Sequence, residues 1–306
     1  MKRICAMFAF ALVFMTVLFT GCMRIDIPTT EHESQTTPYF APDPEQEPQG
    51  QNSRPTPHPD QESQTTPCPT PDIDHGQQEE TGDYITIRGV RYSMSLTFLH
   101  LSDTELTNED IVPLQYMTNL KNLMLNNFSI NDVSPLYGLT DLEVLILKGL
   151  PISDISWLAY FTNLSELYIS ETQNIDDLTP LSSLTNLRVL CLEENQIKDI
   201  SPLSTLTNLW RLEVSFNEVT DISPLSELVG LTSLALSGNR IADVSPLSNL
   251  TNLTNLNLAF NEVSDVSPLS HLAKLTSLDL LCNRVIDWSP IEHLGNFSWQ
   301  EQSVGD

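Results

Sequence analysis

The chain has 306 residues, 40 of them Asp or Glu against 14 Lys or Arg, for a formal net charge of −26; 40% of its residues are hydrophobic. That length holds roughly two domains, and the acid excess argues against a nucleic acid partner, whose phosphates it would repel. The same excess keeps a surface protein soluble and says little about fold.

The first segment, MKRICAMFAFALVFMTVLFTGC, sets Lys2 and Arg3 before an apolar run from Ile4 to about Phe19, then closes on Thr20, Gly21 and Cys22. A basic start and a short apolar stretch make residues 1–21 a signal peptide. The run is short for a membrane span, which needs about 20 apolar residues. Its end resembles the lipobox of bacterial lipoproteins, in which a small residue precedes a cysteine that is diacylated and becomes the mature N-terminus. The resemblance implies lipidation at Cys22, with an uncleaved helical anchor or ordinary secretion as the alternatives.

Residues 22–82 change abruptly to Pro, Thr, Gln, Glu and Ser, and ESQTTP occurs twice, at Glu33–Pro38 and Glu62–Pro67. Such a stretch buries too little apolar surface to fold and reads as a disordered tether. Stiffened by proline, it would reach up to ~180 Å. Next, YITIRGVRY from Tyr84 reads as two short strands around a tight turn at Arg88 and Gly89. A hairpin at residues 83–92 suits the N-terminal cap of an array whose first strand would otherwise expose its edge.

Residues 93–293 repeat. LTNLTNLNLAFNEVSDVSPLSH, Leu250 to His271, returns in edited form at Leu228, Leu206 and Leu184, a period of 22 residues. Such a period means a stacked solenoid. Leu256 and Leu258 straddle Asn257 and mark a short strand with its leucines inward. Asn261 suits a tight turn, and Ser267 followed by Pro268 reads as an N-cap with proline at the first helical position. So little chain remains before the next unit that one helical turn, of 3₁₀ type, is all that fits. The units begin at Ser93, Met117, Leu139, Phe161, Leu184, Leu206, Leu228, Leu250 and Leu272. Insertions around Thr107 to Glu109 and near Asn174 to Asp176 should bulge on the convex side. No unit can bury its leucines alone, so the units must stack their strands into one parallel sheet. At the turn position the later units carry Asn195, Asn217, Asn239, Asn261 and Asn283, and the earlier ones Thr104, Phe128, Leu150 and Thr172. The N-terminal half should therefore be less regular, with fewer side-chain hydrogen bonds. Residues 294–306 start a further unit, LGNFSW, and read as a C-terminal cap and tail, with Phe297 and Trp299 folded over the last leucines.

These units resemble the leucine-rich repeats of the internalin type, LxxLxxLxLxxN followed by DISPL or DVSPL, over Ser93 to His293. The resemblance implies an α/β solenoid: a leucine-rich repeat arc with a parallel β-sheet on the concave face and 3₁₀ turns on the convex face. It further implies a bacterial surface molecule whose concave sheet binds a protein or other macromolecule without catalysis. A structural or scaffolding role in the envelope and adhesion to host or neighbouring cells are the alternatives. A lipid at Cys22 would anchor the protein to the membrane; firm anchoring takes more than one acyl chain.

Side chains alternate along a strand, so those flanking the strand leucines should project from the concave face. They form an apolar patch of Met124, Val144 and Ile146, and a mixed one of Tyr168, Trp210 and Phe216 with Glu166, Glu193, Glu194, Arg211 and Glu213. Exposed aromatic and aliphatic groups on a rigid concavity are what interfaces use; a solvated face with scattered apolar residues is the plainer reading. The periodic aspartates, Asp132 to Asp287, sit beside serine or threonine and read as acceptors of local backbone hydrogen bonds rather than as a calcium array. Cys191 and Cys282, four units apart, stand roughly 19 Å from each other and cannot pair within one copy. No catalytic, nucleotide-binding or metal motif occurs, so no enzyme, cofactor, metal or small-molecule substrate is expected.

Overall fold

A computed structural model describes residues 82–294 except 103, 104, 128, 173 and 174. The expected signal peptide, Cys22, the tether with Cys68, and the cap at Phe297 and Trp299 lie outside the described residues, as do Thr104 and Phe128.

The architecture follows from the leucines. Two short strands, β1 (Tyr84–Ile87) and β2 (Val90–Ser93), pair antiparallel, turning at Arg88 and Gly89, both with positive φ. Then come nine parallel strands: β3 (Phe98–Leu101), β4 (Asn122–Asn126), β5 (Val144–Lys148), β6 (Glu166–Ser170), β7 (Val189–Cys191), β8 (Arg211–Glu213), β9 (Ser233–Ala235), β10 (Asn255–Asn257) and β11 (Ser277–Asp279). They join one sheet in strict chain order. Register is fixed by the inward leucines: Leu123, Leu145, Leu167, Leu190, Leu212, Leu234, Leu256 and Leu278 stand opposite one another from strand to strand. A slip of one residue would turn every leucine out to water. Behind the sheet the chain returns through short 3₁₀ turns, and a single continuous core fills the space between. Ile85 and Ile87 of β1 join that core, so the hairpin contributes to it as well as flanking it.

Aspartate closes the returns from the second unit on. In the DVSP unit the turn spans Ser267–His271 with Val266 in the capping position and no side-chain cap from the serine. Asp265 supplies the acceptor instead: its Oδ1 takes the Ser267 N–H at 2.8 Å. The expected N-cap serine is thus corrected to an aspartate two residues earlier. A 3₁₀ turn leaves its first N–H groups free, and a carboxylate reaches them from outside the turn where the serine, already inside it, does not. The same bond recurs from Asp132, Asp154, Asp177, Asp199, Asp221, Asp243 and Asp287. At Asp243 and Asp265 it holds the carboxyl below the usual carboxylate range.

Asparagine binds one unit to the next. The Asn217 amide donates to the carbonyls of Leu192, Val214 and Ser215, and its oxygen accepts the Ile197 N–H. Asn239, Asn261 and Asn283 repeat the pattern, each taking a carbonyl of the preceding unit at 2.8 to 2.9 Å. β4, β5 and β6, whose own units lack this asparagine, run to five residues, whereas β7 and β8, whose units carry it, stop at three. The N-terminal half has the longer strands and, as expected, lacks this asparagine ladder. It also has an amide of its own, one position before Phe128. Asn127 is fully buried, donates to the Leu106 carbonyl and accepts the Ile130 N–H. The insertion in the first unit is also ordered, as a single α-helical turn, α1 (Asn108–Ile111), running into a 3₁₀ turn.

Candidate functional site

The concave face is a lattice of columns set by strand pairing. One column runs Asn122, Val144, Glu166, Val189 and Arg211, and the next runs Met124, Ile146, Tyr168, Cys191 and Glu213. Neighbours in a column stand ~4.8 Å apart, so large side chains cover one another. Met124, Ile146 and Tyr168 are only 5 to 6% exposed, although none of them belongs to the leucine core. This corrects the expectation of an open apolar patch. The first of the two predicted patches is a sealed ridge, with Val144 half-buried beside it.

The second patch is open on one side and electrostatically busy on the other. Trp210, just before β8, is 45% exposed. Arg211 binds Glu213 through both Nε and Nη2, at 2.8 and 2.6 Å, and the Cys191 thiol donates to the other Glu213 oxygen at 3.3 Å. The Tyr168 hydroxyl donates to Glu166 at 3.0 Å, and Lys148 pairs with Glu171 at 2.9 Å. Phe216, at φ 56°, lays its ring over Gly238, where an added Cβ would come within 2.6 Å of it. Its aromatic surface is spent on the next unit. Glu193 and Glu194 remain, half-buried. Burial first, then the charges of Glu213 and Glu194, push Glu193 up to about 7 against the pull of Arg211 and Lys148. Glu194 is raised too, by burial and by Glu171. Lys148, Glu171 and Cys191 thus belong to this cluster; strand alternation puts them on the face, but only the fold shows them joined to it.

Such a raised carboxyl has a measurable signature. Unfolded, Glu193 loses its proton near the ordinary carboxylate value, while the folded chain keeps it, so stability falls as pH rises from about 4.5 to about 7 and stays lowered above. Glu193→Gln should raise the thermal midpoint at pH 8 and leave it unchanged at pH 4. Equal midpoints at both pH values would contradict the assignment.

A Cys191 sulfur and oxygens of Glu193 and Glu213 lie within 4.8 Å of one another. The Arg211 guanidinium and the Cys191 thiol already occupy the Glu213 carboxylate, so the positive charge at this point is supplied by the protein itself.

Comparison with known proteins bears on this geometry. A model of leucine-rich repeats, two copies to a match, fits residues 185–227, 229–270 and 251–294. Among solved structures, internalin C2 of Listeria monocytogenes is 38% identical, over 62% of this chain and 84% of that one, with a TM-score of 0.57. The chain belongs to the internalin-type leucine-rich repeat proteins. An internalin F of the same organism is 28% identical over 70% of this chain and 91% of that one, with a TM-score of 0.40. A leucine-rich repeat protein of Leptospira interrogans is 25% identical over 61% and 55%, with a TM-score of 0.50. No curated protein sequence matches the chain. In this internalin-type chain no helix among the described residues is long and apolar enough to cross a membrane.

Proposed function

We propose that this internalin-type protein is a lipoprotein, anchored at Cys22 and exposed at the cell surface, that binds a protein or other macromolecule on its concave face without catalysis. The observation that carries the reading is the strip over β6, β7 and β8. It sets an exposed Trp210 at the entry to β8, and Glu193 and Glu194, carboxylates not tied up by ion pairs, past the end of β7, on a backbone pinned by the Asn195 and Asn217 amides. A rigid face loses little conformational entropy on binding, and tryptophan at such a place is the residue type that dominates interface energies.

The test uses capture from envelope fractions and from host-cell extracts, with affinity then measured for whatever is bound. Trp210→Ala should weaken that affinity about tenfold or more with the circular dichroism unchanged, because the side chain stands clear of the core. Unaltered affinity would place the contact elsewhere. Tyr168 and Glu213 are poorer probes: each is bound to neighbours on the face, and its loss would disturb the scaffold along with the surface. Mass spectrometry of the mature N-terminus, seeking a diacylglyceryl cysteine, tests the anchor.

A further inference from the structure

The exposed tyrosines of the solenoid's return turns are confined to its first three units. Tyr116, Tyr137 and Tyr160 are 58, 47 and 75% exposed. At the two equivalent positions the later units carry Ser182 and Ser183, Ser204 and Thr205, Ser226 and Glu227, Ser248 and Asn249. Repetition therefore does not account for the aromatics. Nor does it account for Trp157, which stands where other units have the proline of DxSP, among them Pro135 and Pro180. The substitution builds a wall. Tyr137 stacks on Trp157 with centroids 5.6 Å apart, and Trp157 meets Phe161 edge-on at 5.1 Å. In front lies a cleft of about 410 Å³ lined by Tyr137, Ser156, Trp157 and Tyr160. Gly138 holds the position between Tyr116 and Tyr160 in the array, and a Cβ there would meet nothing within 4 Å. The row is open where a side chain would close it.

We propose that this cleft on the convex face binds a neutral glycan, with a pyranose ring stacked on Tyr160. The volume suits a mono- or disaccharide rather than a macromolecular surface. No cation lines it, so an anionic ligand finds no partner there. A methylammonium cage needs several open ring faces, and Trp157, 4% exposed, has none left. A proline-rich peptide would use ring N–H donors between parallel ridges, yet the indole N–H already goes to the Asp154 carbonyl at 3.2 Å. A sugar instead presents a C–H face to an amphipathic ring and hydroxyls that both donate and accept, as the tyrosine hydroxyls do.

The repeat itself supplies substitutions that other units tolerate. The full chain is applied to an array of neutral gluco-, manno- and galacto-oligosaccharides and N-acetylglucosamine oligomers, with tetramethylammonium and a deca-proline peptide as competitors. Binding to a neutral glycan is expected. It should fall at least tenfold in Tyr160→Ser, which copies Ser183, and in Gly138→Tyr, which copies Tyr116 and fills the gap. Both variants should keep the wild-type unfolding midpoint, and Trp210→Ala should bind the glycan normally. An array without a neutral glycan signal, a signal unchanged in both variants, or displacement by tetramethylammonium or the proline peptide overturns the proposal.

Discussion

Replacing Asn239 with leucine is expected to lower the unfolding free energy by about 3 kcal/mol or more, since each buried polar group left without a partner costs roughly 1 to 3 kcal/mol. Four groups lose theirs at once. The Asn239 amide donates to Val214, Leu236 and Ser237, and its oxygen accepts the Val219 N–H at 2.9 Å. Val214 lies in the unit before and Leu236 in the unit of Asn239 itself, so the loss uncouples neighbours rather than loosening one turn. In a stacked array, stability is shared between units and the interfaces that join them. Urea denaturation should show a lower midpoint and, if the uncoupling is complete, a transition that separates into two. A shift under 1 kcal/mol would mean that water replaces the amide at little cost.

The second large effect is at Phe161, the bulkiest of the fully buried side chains and the edge-on partner of Trp157. Phe161→Ala should cost about 3 to 5 kcal/mol, the usual range for emptying a buried aromatic position. Phe161→Leu should cost much less, because Leu139 and Leu184 fill the corresponding position in the flanking units and the surrounding cavity already accepts a leucine. The comparison separates packing from identity. If alanine and leucine were equally damaging, the wall built by Trp157 would depend on the aromatic ring itself and not on the volume it fills.

These two residues show what the sequence discloses and what it withholds. The inward leucines are legible because a 22-residue period and an alternating pair leave one arrangement in which every unit hides its apolar side; the structure has that arrangement in nine parallel strands. Asn239 and its fellows are legible as turn residues, although not as donors to the unit before. The asparagine of LTNL, present in most units, forms a second ladder: Asn186 donates to Thr162, Asn208 to Thr185 and Asn252 to Val229. Nothing in a single unit reveals it, since the acceptor lies one unit away.

The concave face was harder to read for a related reason. Alternation places Met124, Ile146 and Tyr168 on it correctly, but alternation describes one strand at a time. Burial there depends on what stands in the next strand, and large neighbours close over each other. The serines misled differently, while the aspartates are the acceptors of local backbone hydrogen bonds that the sequence indicates. Serine before proline is a common cap, and only the geometry of a 3₁₀ turn hands the role to the aspartate two places earlier. Tyr137 and Tyr160 gave no signal because they fall on the return turns, where exposed side chains are the rule. Their meaning comes from the serines that replace them further along.

The central claim is that the stacked sheet leaves one face free to bind, centred on β6 to β8. Hydroxyl-radical footprinting of the complex with the captured partner tests it most directly. Protection should concentrate on Trp210 and Arg211 at the entry to β8 and on Glu193 and Glu194 past the end of β7, while Tyr116 and Tyr160 on the return turns stay as reactive as in the free chain. Protection of those tyrosines, with Trp210 unchanged, would contradict it.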